Sequence, residues 1–153
     1  HFLSSLCTIT VVIMETKELC KIYLKNNPFN ATCETGWSRL GNRCFKAFND
    51  PKSWKDAEVR CLNSGGNLAS VHSFKEQAFL KLLVSSSSSF WIGGYDAEGT
   101  WFWSDGSKMN FHAWNSGEPN NKYDEHCMET NYGGNWNDKK CTVELPFVCA
   151  IAI

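Results

Sequence analysis

Hydrophobic residues recur at helical spacing in two segments of the chain. In the first, apolar positions follow Ser53 at intervals of three and four, and Gly65-Gly66 supplies a residue without Cβ that suits a helix end. In the second, Ser73 and Glu76 form a capping box, and the serines of residues 85–89 end the pattern. The residues expected to face the core are Trp54, Ala57, Cys61 and Leu62 in the first helix and Phe74, Ala78, Phe79, Leu82 and Leu83 in the second.

Shorter apolar and aromatic runs, separated by turn residues, indicate β-strands. Residues 36–40 and 43–48 flank Gly41-Asn42, a dipeptide that favours a hairpin. Further strand-like runs occupy residues 68–71, 90–93 and 101–103. Because few helix signals remain after residue 90, the predicted class is α+β. Most of a set of five tryptophans are expected in its core, the alternative being an exposed aromatic platform, and the set is Trp37, Trp91, Trp101, Trp103 and Trp136.

Residues 107–126 form a long polar stretch that is rich in Asn, Gly and Pro. The stretch is longer than an ordinary connection, and loops of such length are usually functional or disordered. Trp114 and Pro119 can anchor it, and Cys127 fixes its far end. We therefore expect this loop to carry functional residues, with Tyr123 and Trp114 as candidates for ligand contacts.

Charge and composition exclude several classes of function. Lys and Arg total 15 against 16 Asp and Glu, so the net charge of −1 gives no long-range attraction for nucleic acid or anionic lipid. Hydrophobic residues at 42% and charged residues at 20% are typical of a folded domain. No apolar run reaches the roughly 18 residues of a transmembrane helix. We predict a folded protein with no nucleic-acid partner and no membrane span.

The first residues differ in character from the rest. Residues 1–14 have the length of a signal-peptide core, and we interpret them as a truncated secretion signal. An N-terminal strand is the alternative, because the β-branched residues of this segment suit strands. We interpret residues 15–32 as a stalk and residues 33–153 as the folded domain. Asn30 begins an N-glycosylation sequon, which has meaning only in a secreted chain.

Cysteine usage indicates an oxidising compartment. The chain has eight cysteines, and no two form the C-x-x-C pair of a zinc or thioredoxin site. We therefore predict disulfides in a secreted, extracellular protein, although the residues alone leave the pairing open. The set is Cys7, Cys20, Cys33, Cys44, Cys61, Cys127, Cys141 and Cys149.

Three motifs and six cysteines make residues 33–149 resemble the C-type lectin-like domain. The motifs are Trp91-Ile92-Gly93-Gly94, Glu118-Pro119-Asn120 and Trp136-Asn137-Asp138. Residues 65–73 and 91–106 are similar to the small secreted lectins of fish, including the ladderlectin-like proteins. The resemblance implies an α+β domain with two helices, small antiparallel sheets and a long calcium-binding loop.

The resemblance also implies a disulfide pattern. Its three bonds would be Cys33–Cys44, Cys61–Cys149 and Cys127–Cys141. If the leader is removed together with Cys7, Cys20 is left as a single thiol in the stalk, which indicates an intermolecular disulfide and a homodimer. If the leader stays, a Cys7–Cys20 bond is the alternative.

Three carboxylates and two amides are concentrated in the long loop and the strand after it. They are Glu118, Asn120, Glu125, Asn137 and Asp138. Hard oxygen ligands suit Ca²⁺, whereas zinc prefers Cys or His. A solvated acidic loop would have the same composition. The resemblance favours metal binding, because these five positions match the principal calcium site of the family, in which the Glu-Pro peptide is cis.

In the family that the chain resembles, the calcium also holds two neighbouring hydroxyls of a sugar. The pairs Glu118/Asn120 and Glu125/Asn137 would accept hydrogen bonds from these hydroxyls through the carboxylates and donate to them through the amides. The order Glu-Pro-Asn is associated with equatorial 3- and 4-hydroxyls, as in mannose and N-acetylglucosamine, and with fucose-type ligands. A Gln-Pro-Asp motif would suggest galactose. The ladderlectin-like proteins often resemble this second pattern, so the chain departs from them at the residues that select the sugar. The expected ligands are microbial or cell-surface glycans of the mannose type.

A second calcium site of many family members is expected to be weak or empty. Asp96 and Glu98 stand near two of its carboxylate positions, but Asn121 and His126 occupy positions where Asp is usual. Replacing anionic ligands with neutral ones weakens the attraction for a divalent ion. His126 lies beside Glu125 and is a candidate for pH-sensitive calcium retention, the alternative being an exposed histidine without a role.

Three other functions compete with sugar binding. Glu118 and Glu125 resemble the carboxylate pair of a glycosidase, but so polar a loop gives no desolvated acid, and we predict that the protein is not an enzyme. Ice binding is an alternative because fish type II antifreeze proteins share this fold. The calcium-independent kind has two further cysteines that are lacking here. A protein-binding module without sugar activity is the third, although such modules commonly lose the calcium ligands.

Overall fold

The computed structural model describes residues 31–84 and 88–153, together with Leu19 and Ile22. The expectations for residues 1–14, for Cys7 and Cys20, and for Asn30 lie outside the described residues. The chain divides into two compact units, one formed by residues 1–35 with Ile153 and the other by Gly36–Ala152. The second unit contains all five candidate ligands, and the domain boundary at Cys33 stays a prediction.

Two helices and eight strands are described within Gly36–Ala152. The helices are α1 (Trp54–Asn63) and α2 (Phe74–Leu83). The strands are β1 (Ser38–Leu40), β2 (Arg43–Lys52), β3 (Asn67–Leu68), β4 (Phe90–Ala97), β5 (Thr100–Trp103), β6 (Cys127–Tyr132), β7 (Asn135–Lys139) and β8 (Leu145–Ala152). In the part of the chain that the structure describes, no helix is long and apolar enough to cross a membrane.

The strands form one mixed sheet, in the order β1-β2-β8-β4-β6-β7, with β3 paired to β8 and β5 paired to β4. The pairs are antiparallel, except that β4 and β8 run parallel where Trp91 pairs with Phe147. The resemblance implies small antiparallel sheets, whereas this parallel contact joins the strands into a single sheet. The predicted α+β class with two helices is confirmed. Strands β6 and β7, which follow the long loop in the sequence, lie at one end of the strand order.

Both helices begin where the sequence predicts, because a serine hydroxyl caps each first turn. Ser53 Oγ accepts a hydrogen bond from the Asp56 amide at 3.2 Å, and Ser73 Oγ accepts one from the Glu76 amide at 3.1 Å. α1 ends before Gly65, whose φ of +89° lies in the left-handed region that favours glycine.

The prediction for the buried helix faces is partly wrong. Four residues expected in the core are exposed, namely Leu62 in α1 and Phe74, Ala78 and Leu82 in α2. The residues of α2 that are buried are Gln77 and Leu80. Gln77 is buried because its Oε1 accepts a hydrogen bond from Trp136 Nε1 at 2.9 Å and its amide donates to Thr130 Oγ1. A polar residue with satisfied hydrogen bonds therefore occupies a core position that hydrophobicity alone assigned elsewhere.

Tryptophan side chains fill much of the core. Trp91, Trp103 and Trp136 are buried, as predicted, whereas Trp37 and Trp101 are only partly buried. The rings of Trp103 and Trp136 meet edge to face with centroids 5.4 Å apart, which is a favourable aromatic geometry. Trp136 is thus held by the core one residue before the candidate ligands Asn137 and Asp138.

Two disulfides cross-link the sheet and α1. Cys61–Cys149 joins α1 to β8, and Cys127–Cys141 joins the start of β6 to the segment after β7. Both bonds agree with the pattern that the resemblance implies. Cys33 and Cys44 are each disulfide-bonded, and their pairing with each other stays a prediction.

Replacing Gly66 with alanine is expected to destabilise the fold by about 3 kcal/mol or more, at the upper end of the usual cost of overpacking. A Cβ at this position would overlap the Ala150 carbonyl oxygen of β8, so the backbone must shift. Gly65→Ala is the matched control, because a Cβ there meets no atom and only the left-handed φ is penalised. Urea unfolding measures both variants. A Gly66→Ala variant no less stable than Gly65→Ala would contradict this account of the packing.

Candidate metal and ligand site

The long loop is anchored to β7 through its backbone. The Trp136 amide donates to the Ala113 carbonyl at 2.8 Å, and the Asn115 amide donates to the Trp136 carbonyl at 2.9 Å. Between these bonds, the Trp114 ring packs edge to face against Trp101 and Trp136, with centroids 4.8 Å and 5.7 Å apart. Trp114 therefore anchors the loop, as the sequence predicts, and its suggested contact with a ligand stays a prediction.

A second contact brings the loop onto Asp138, which is fully buried on β7. Asp138 Oδ1 accepts a hydrogen bond from the Asn120 amide at 3.2 Å, and its Oδ2 accepts one from the Asn121 amide at 2.6 Å. Glu118 Oε1 accepts a further bond from Asn120 Nδ2 at 3.0 Å. The Glu118-Pro119 peptide is cis, as the resemblance implies. The structure thus brings Glu118, Asn120 and Asp138 together.

Glu125 approaches the same carboxylate from the far end of the loop. Its amide donates to Asn121 Oδ1 at 3.2 Å, so a short turn connects the two ends of segment 121–125. Burial and the charge of Asp138 together raise the pKa of Glu125. Burial, followed by the proximity of the Asp138 carboxylate, also raises the pKa of Glu118. Like charges therefore gather around Asp138, where a cation would relieve their repulsion.

Asn137 is the fifth candidate ligand, and it lies on β7 directly before Asp138. Its side chain is buried, and its Nδ2 donates to Glu129 Oε1 at 2.8 Å. Glu129 lies opposite Asn137 in the pairing of β6 with β7. Sequence reasoning missed Glu129. A signal was available, because residues two positions apart in a strand share a face. Glu129 therefore lies on the same side of β6 as Cys127, which is buried.

The donors at this site fit a hard cation. They are carboxylate and amide oxygens, the groups that Ca²⁺ prefers. Glu118 Oε2 is buried and has no hydrogen-bond partner, as expected of an oxygen that lacks its ligand. Among the described residues, no three His, Cys, Asp or Glu side chains already gather as a metal centre. One reason is that both Asp138 oxygens accept hydrogen bonds from backbone amides. Another is that two of the five candidate ligands are asparagines, which are not among these residue types.

His126 bridges two carboxylates beside the candidate site. Its Nδ1 lies 2.8 Å from Asp96 Oδ2, and its Nε2 lies 2.7 Å from Asp124 Oδ1. These hydrogen bonds, that of Asp96 first, raise the pKa of His126. An imidazolium donates through both nitrogens, which matches two carboxylate partners. Protonation of the ring would oppose the binding of a further cation between Asp96 and Asp124, while the effect of His126 on calcium retention stays a prediction.

Tyr123 is the other loop residue that the sequence suggests for contact with a ligand. Its side chain is 76% exposed, and its backbone φ of +65° lies in the left-handed region, as do those of Asn121 and Asp124. Lys122 Nζ lies 5.3 Å from the centre of the Tyr123 ring. The loop therefore presents an aromatic side chain to solvent next to the candidate ligands.

A family profile described as Lectin C-type domain matches residues 50–151. The match covers more than half of the chain, and it includes the long loop, β6 and β7 with all five candidate ligands. The chain therefore belongs to the C-type lectin family, as the sequence motifs predict.

Two curated lectins are similar to the chain over most of its length. The galactose-specific lectin nattectin of Thalassophryne nattereri is 44% identical over 128 residues, which cover 78% of this chain and 80% of that protein. Ladderlectin of Oncorhynchus mykiss is 44% identical over 123 residues, which cover 74% of this chain and 65% of that protein. The predicted similarity to fish lectins is confirmed. Both relatives are lectins, which agrees with a binding protein rather than an enzyme.

Among solved structures, the herring type II antifreeze protein has a similar fold. It superposes with a TM-score of 0.75 at 36% identity, covering 79% of this chain and 99% of that chain. The fold is therefore common to carbohydrate-binding and ice-binding proteins, and the side chains of the loop have to distinguish the two.

Proposed function

We propose that the protein is a calcium-dependent lectin that binds glycans with equatorial 3- and 4-hydroxyls, such as mannose and N-acetylglucosamine, and also fucose-type glycans. The observation that carries the proposal is the contact of buried Asp138 with the Asn120 and Asn121 amides, at 3.2 Å and 2.6 Å. This contact holds the Glu-Pro-Asn segment against β7, beside Asn137. Glu118, Asn120, Glu125, Asn137 and Asp138 would hold the ion.

The protein side chains supply both halves of the hydrogen bonding to a sugar. When bound, calcium offers coordination positions to two neighbouring hydroxyls. Glu118 and Glu125 accept hydrogen bonds from these hydroxyls, and Asn120 and Asn137 donate to them. Because the acceptors are charged, these hydrogen bonds are stronger than bonds between neutral groups. The 3.0 Å bond between Glu118 Oε1 and Asn120 Nδ2 supports the assignment of these two residues as one acceptor and donor pair.

The order of acceptor and donor favours the mannose type over galactose. Glu118 precedes Pro119 and Asn120 follows it, which is the Glu-Pro-Asn order associated with equatorial hydroxyls. Galactose is the competing ligand, because nattectin, 44% identical, is described as galactose-specific. We favour mannose because the residues that contact the sugar determine its class more directly than the remainder of the domain does.

Ice binding is the second candidate, and the similarity to the herring antifreeze protein supports it. The loop favours a lectin, because it concentrates charged carboxylates around Asp138, and charged groups are strongly hydrated. Thermal hysteresis measured in the presence of calcium distinguishes the two functions. The lectin proposal predicts none, and a clear hysteresis gap would favour ice binding.

Calorimetry tests the lectin proposal directly. Calcium titrated into chelator-treated protein is expected to bind saturably, and methyl mannoside added afterwards is expected to bind with a dissociation constant of about 1 mM. Mannoside added without calcium is expected to give no heat of binding. Equal sugar binding with and without calcium would contradict the proposal.

A secreted, disulfide-linked homodimer would strengthen such weak binding. Linking two sites raises avidity by about 10²–10⁴ when the ligands are suitably spaced. Cys20 lies outside the six cysteines expected in the domain, and we propose it as the intermolecular link. The disulfides of the domain support an extracellular location, where Asn30 would be a glycosylation site.

Non-reducing electrophoresis of the secreted protein is expected to give a dimer band that is lost in Cys20→Ser and kept in Cys7→Ser. The band is lost because no other stalk cysteine would remain to form the link. A monomer band for the unmodified protein would refute the dimer. A Cys7–Cys20 peptide in mass spectrometry would replace it with an intrachain bond.

A further inference from the structure

Glu129 is a buried carboxylate that the hydrophobic core does not explain. Its side chain is fully buried on β6, and its Oε2 has no hydrogen-bond partner. In the described part of the chain, the cation that approaches it is Lys139, whose Nζ lies 3.9 Å from Oε1, a distance longer than a hydrogen bond. Burying a charge with so little compensation costs stability.

The contact that Glu129 does make is with a proposed calcium ligand. Its Oε1 accepts a hydrogen bond from Asn137 Nδ2 at 2.8 Å, across the β6–β7 pair that sets the two residues opposite each other. Among the described residues, this is the one hydrogen bond of the Asn137 side chain. A primary amide is planar, so fixing Nδ2 on Glu129 turns Oδ1 away from Glu129 and also fixes the direction of the second N–H.

We infer that Glu129 is a positioning residue, which orients the Asn137 amide so that Oδ1 serves the cation and the remaining N–H serves the sugar. The inference rests on the proposed function. The contact is charge-assisted, and it therefore favours this orientation of the amide over the flipped one, which would set two oxygens against each other. Outer contacts of this kind hold metal ligands in place, and removing them typically weakens metal binding about 10–100-fold.

The test is the calcium affinity of Glu129→Gln, which keeps the shape of the side chain and removes its charge. A glutamine can donate as well as accept, so the amide of Asn137 is no longer held in one orientation. We expect calcium to bind about 10–100-fold more weakly, while the calcium-free protein unfolds at an unchanged or higher urea concentration, because a buried charge has been removed.

Glu58→Gln is the matched control. Glu58 Oε1 also accepts a hydrogen bond from an asparagine, Asn67 Nδ2, at 2.6 Å, but it lies on α1 rather than in the loop or on β6 and β7. Calcium affinity within twofold of the unmodified protein is expected for this control. The same result for Glu129→Gln would overturn the inference and leave the proposed function standing. An unmodified protein that binds no calcium would overturn both.

Hydrogen exchange of the Asn137 side-chain amide gives a readout that needs no metal. In the calcium-free protein, the Nδ2 proton bonded to Glu129 is expected to exchange at least tenfold faster in Glu129→Gln than in the unmodified protein. Its NMR signal is identified by its loss in Asn137→Ala. Fast exchange in the unmodified protein would overturn the inference even if Glu129→Gln does not fold.

Discussion

Replacing Asn137 with alanine is expected to abolish calcium-dependent retention on mannose. The change removes a proposed oxygen ligand of the ion and a hydrogen-bond donor to the sugar at once. It also leaves Glu129 Oε1 without the donor that now lies 2.8 Å away. Leaving a buried acceptor unpaired costs about 1–3 kcal/mol, so the free energy of unfolding should fall as well. Retention on mannose-agarose measures binding, and urea unfolding measures stability.

Asn67→Ala separates the loss of binding from the loss of stability. Asn67 Nδ2 donates to Glu58 Oε1 at 2.6 Å, so its removal also leaves a glutamate without an asparagine partner. Asn67 lies on β3, whose partner strand is β8 rather than β6 or β7. We expect Asn67→Ala to lose stability and keep mannose binding. Equal loss of binding in the two variants, or retention by Asn137→Ala, would contradict the proposed role of Asn137.

Exchanging the order of acceptor and donor is expected to move the sugar preference from mannose to galactose. The double variant Glu118→Gln with Asn120→Asp keeps the number of carboxylates and of oxygen donors, so calcium should still bind. The hydrogen bond between the two side chains can persist with its direction reversed. The introduced aspartate can also continue to accept the Lys122 amide, which now donates to Asn120 Oδ1 at 2.8 Å.

The size of the change follows from the hydrogen bonds that the wrong sugar leaves unpaired. One unpaired polar group costs about 1–3 kcal/mol, so the ratio of galactoside to mannoside affinity should rise about 10–100-fold. Competition by the two methyl glycosides measures this ratio. The single variant Glu118→Gln is the control, because it loses a carboxylate and should bind calcium more weakly. A double variant that keeps the mannose preference would show that the motif order does not select the sugar in this protein.

Local signals in the sequence predict much of the fold. Ser53 and Ser73 cap the two helices as expected, because a cap depends on residues only three positions apart. The buried face of α2 is predicted only in part: Phe79 and Leu83 pack against the core as expected, but Gln77 also enters it through a bond to Trp136, far away in the sequence. Hydrophobic periodicity assumes that polar residues face solvent, and it fails where a distant partner satisfies one.

The candidate site was only partly accessible to sequence reasoning. The resemblance to a family supplied its five residues, and the structure connects three of them by hydrogen bonds, because Asn120 donates to both Asp138 and Glu118. The role of Glu129 depends on the register of β6 against β7, which is irregular between Glu129 and Tyr132. A single sequence does not specify such a register. The tether of His126 to Asp96 likewise depends on the pairing of β4 with the start of β6.

A glycan array probed with and without a calcium chelator tests the central claim most directly. The proposal predicts binding to glycans that end in mannose, N-acetylglucosamine or fucose, with weak or no signal on galactose, and loss of all signals when calcium is removed. Recovery of the same pattern after calcium is restored would show that the protein remained folded. Binding that persists in chelator, or a pattern dominated by galactose, would contradict the assignment.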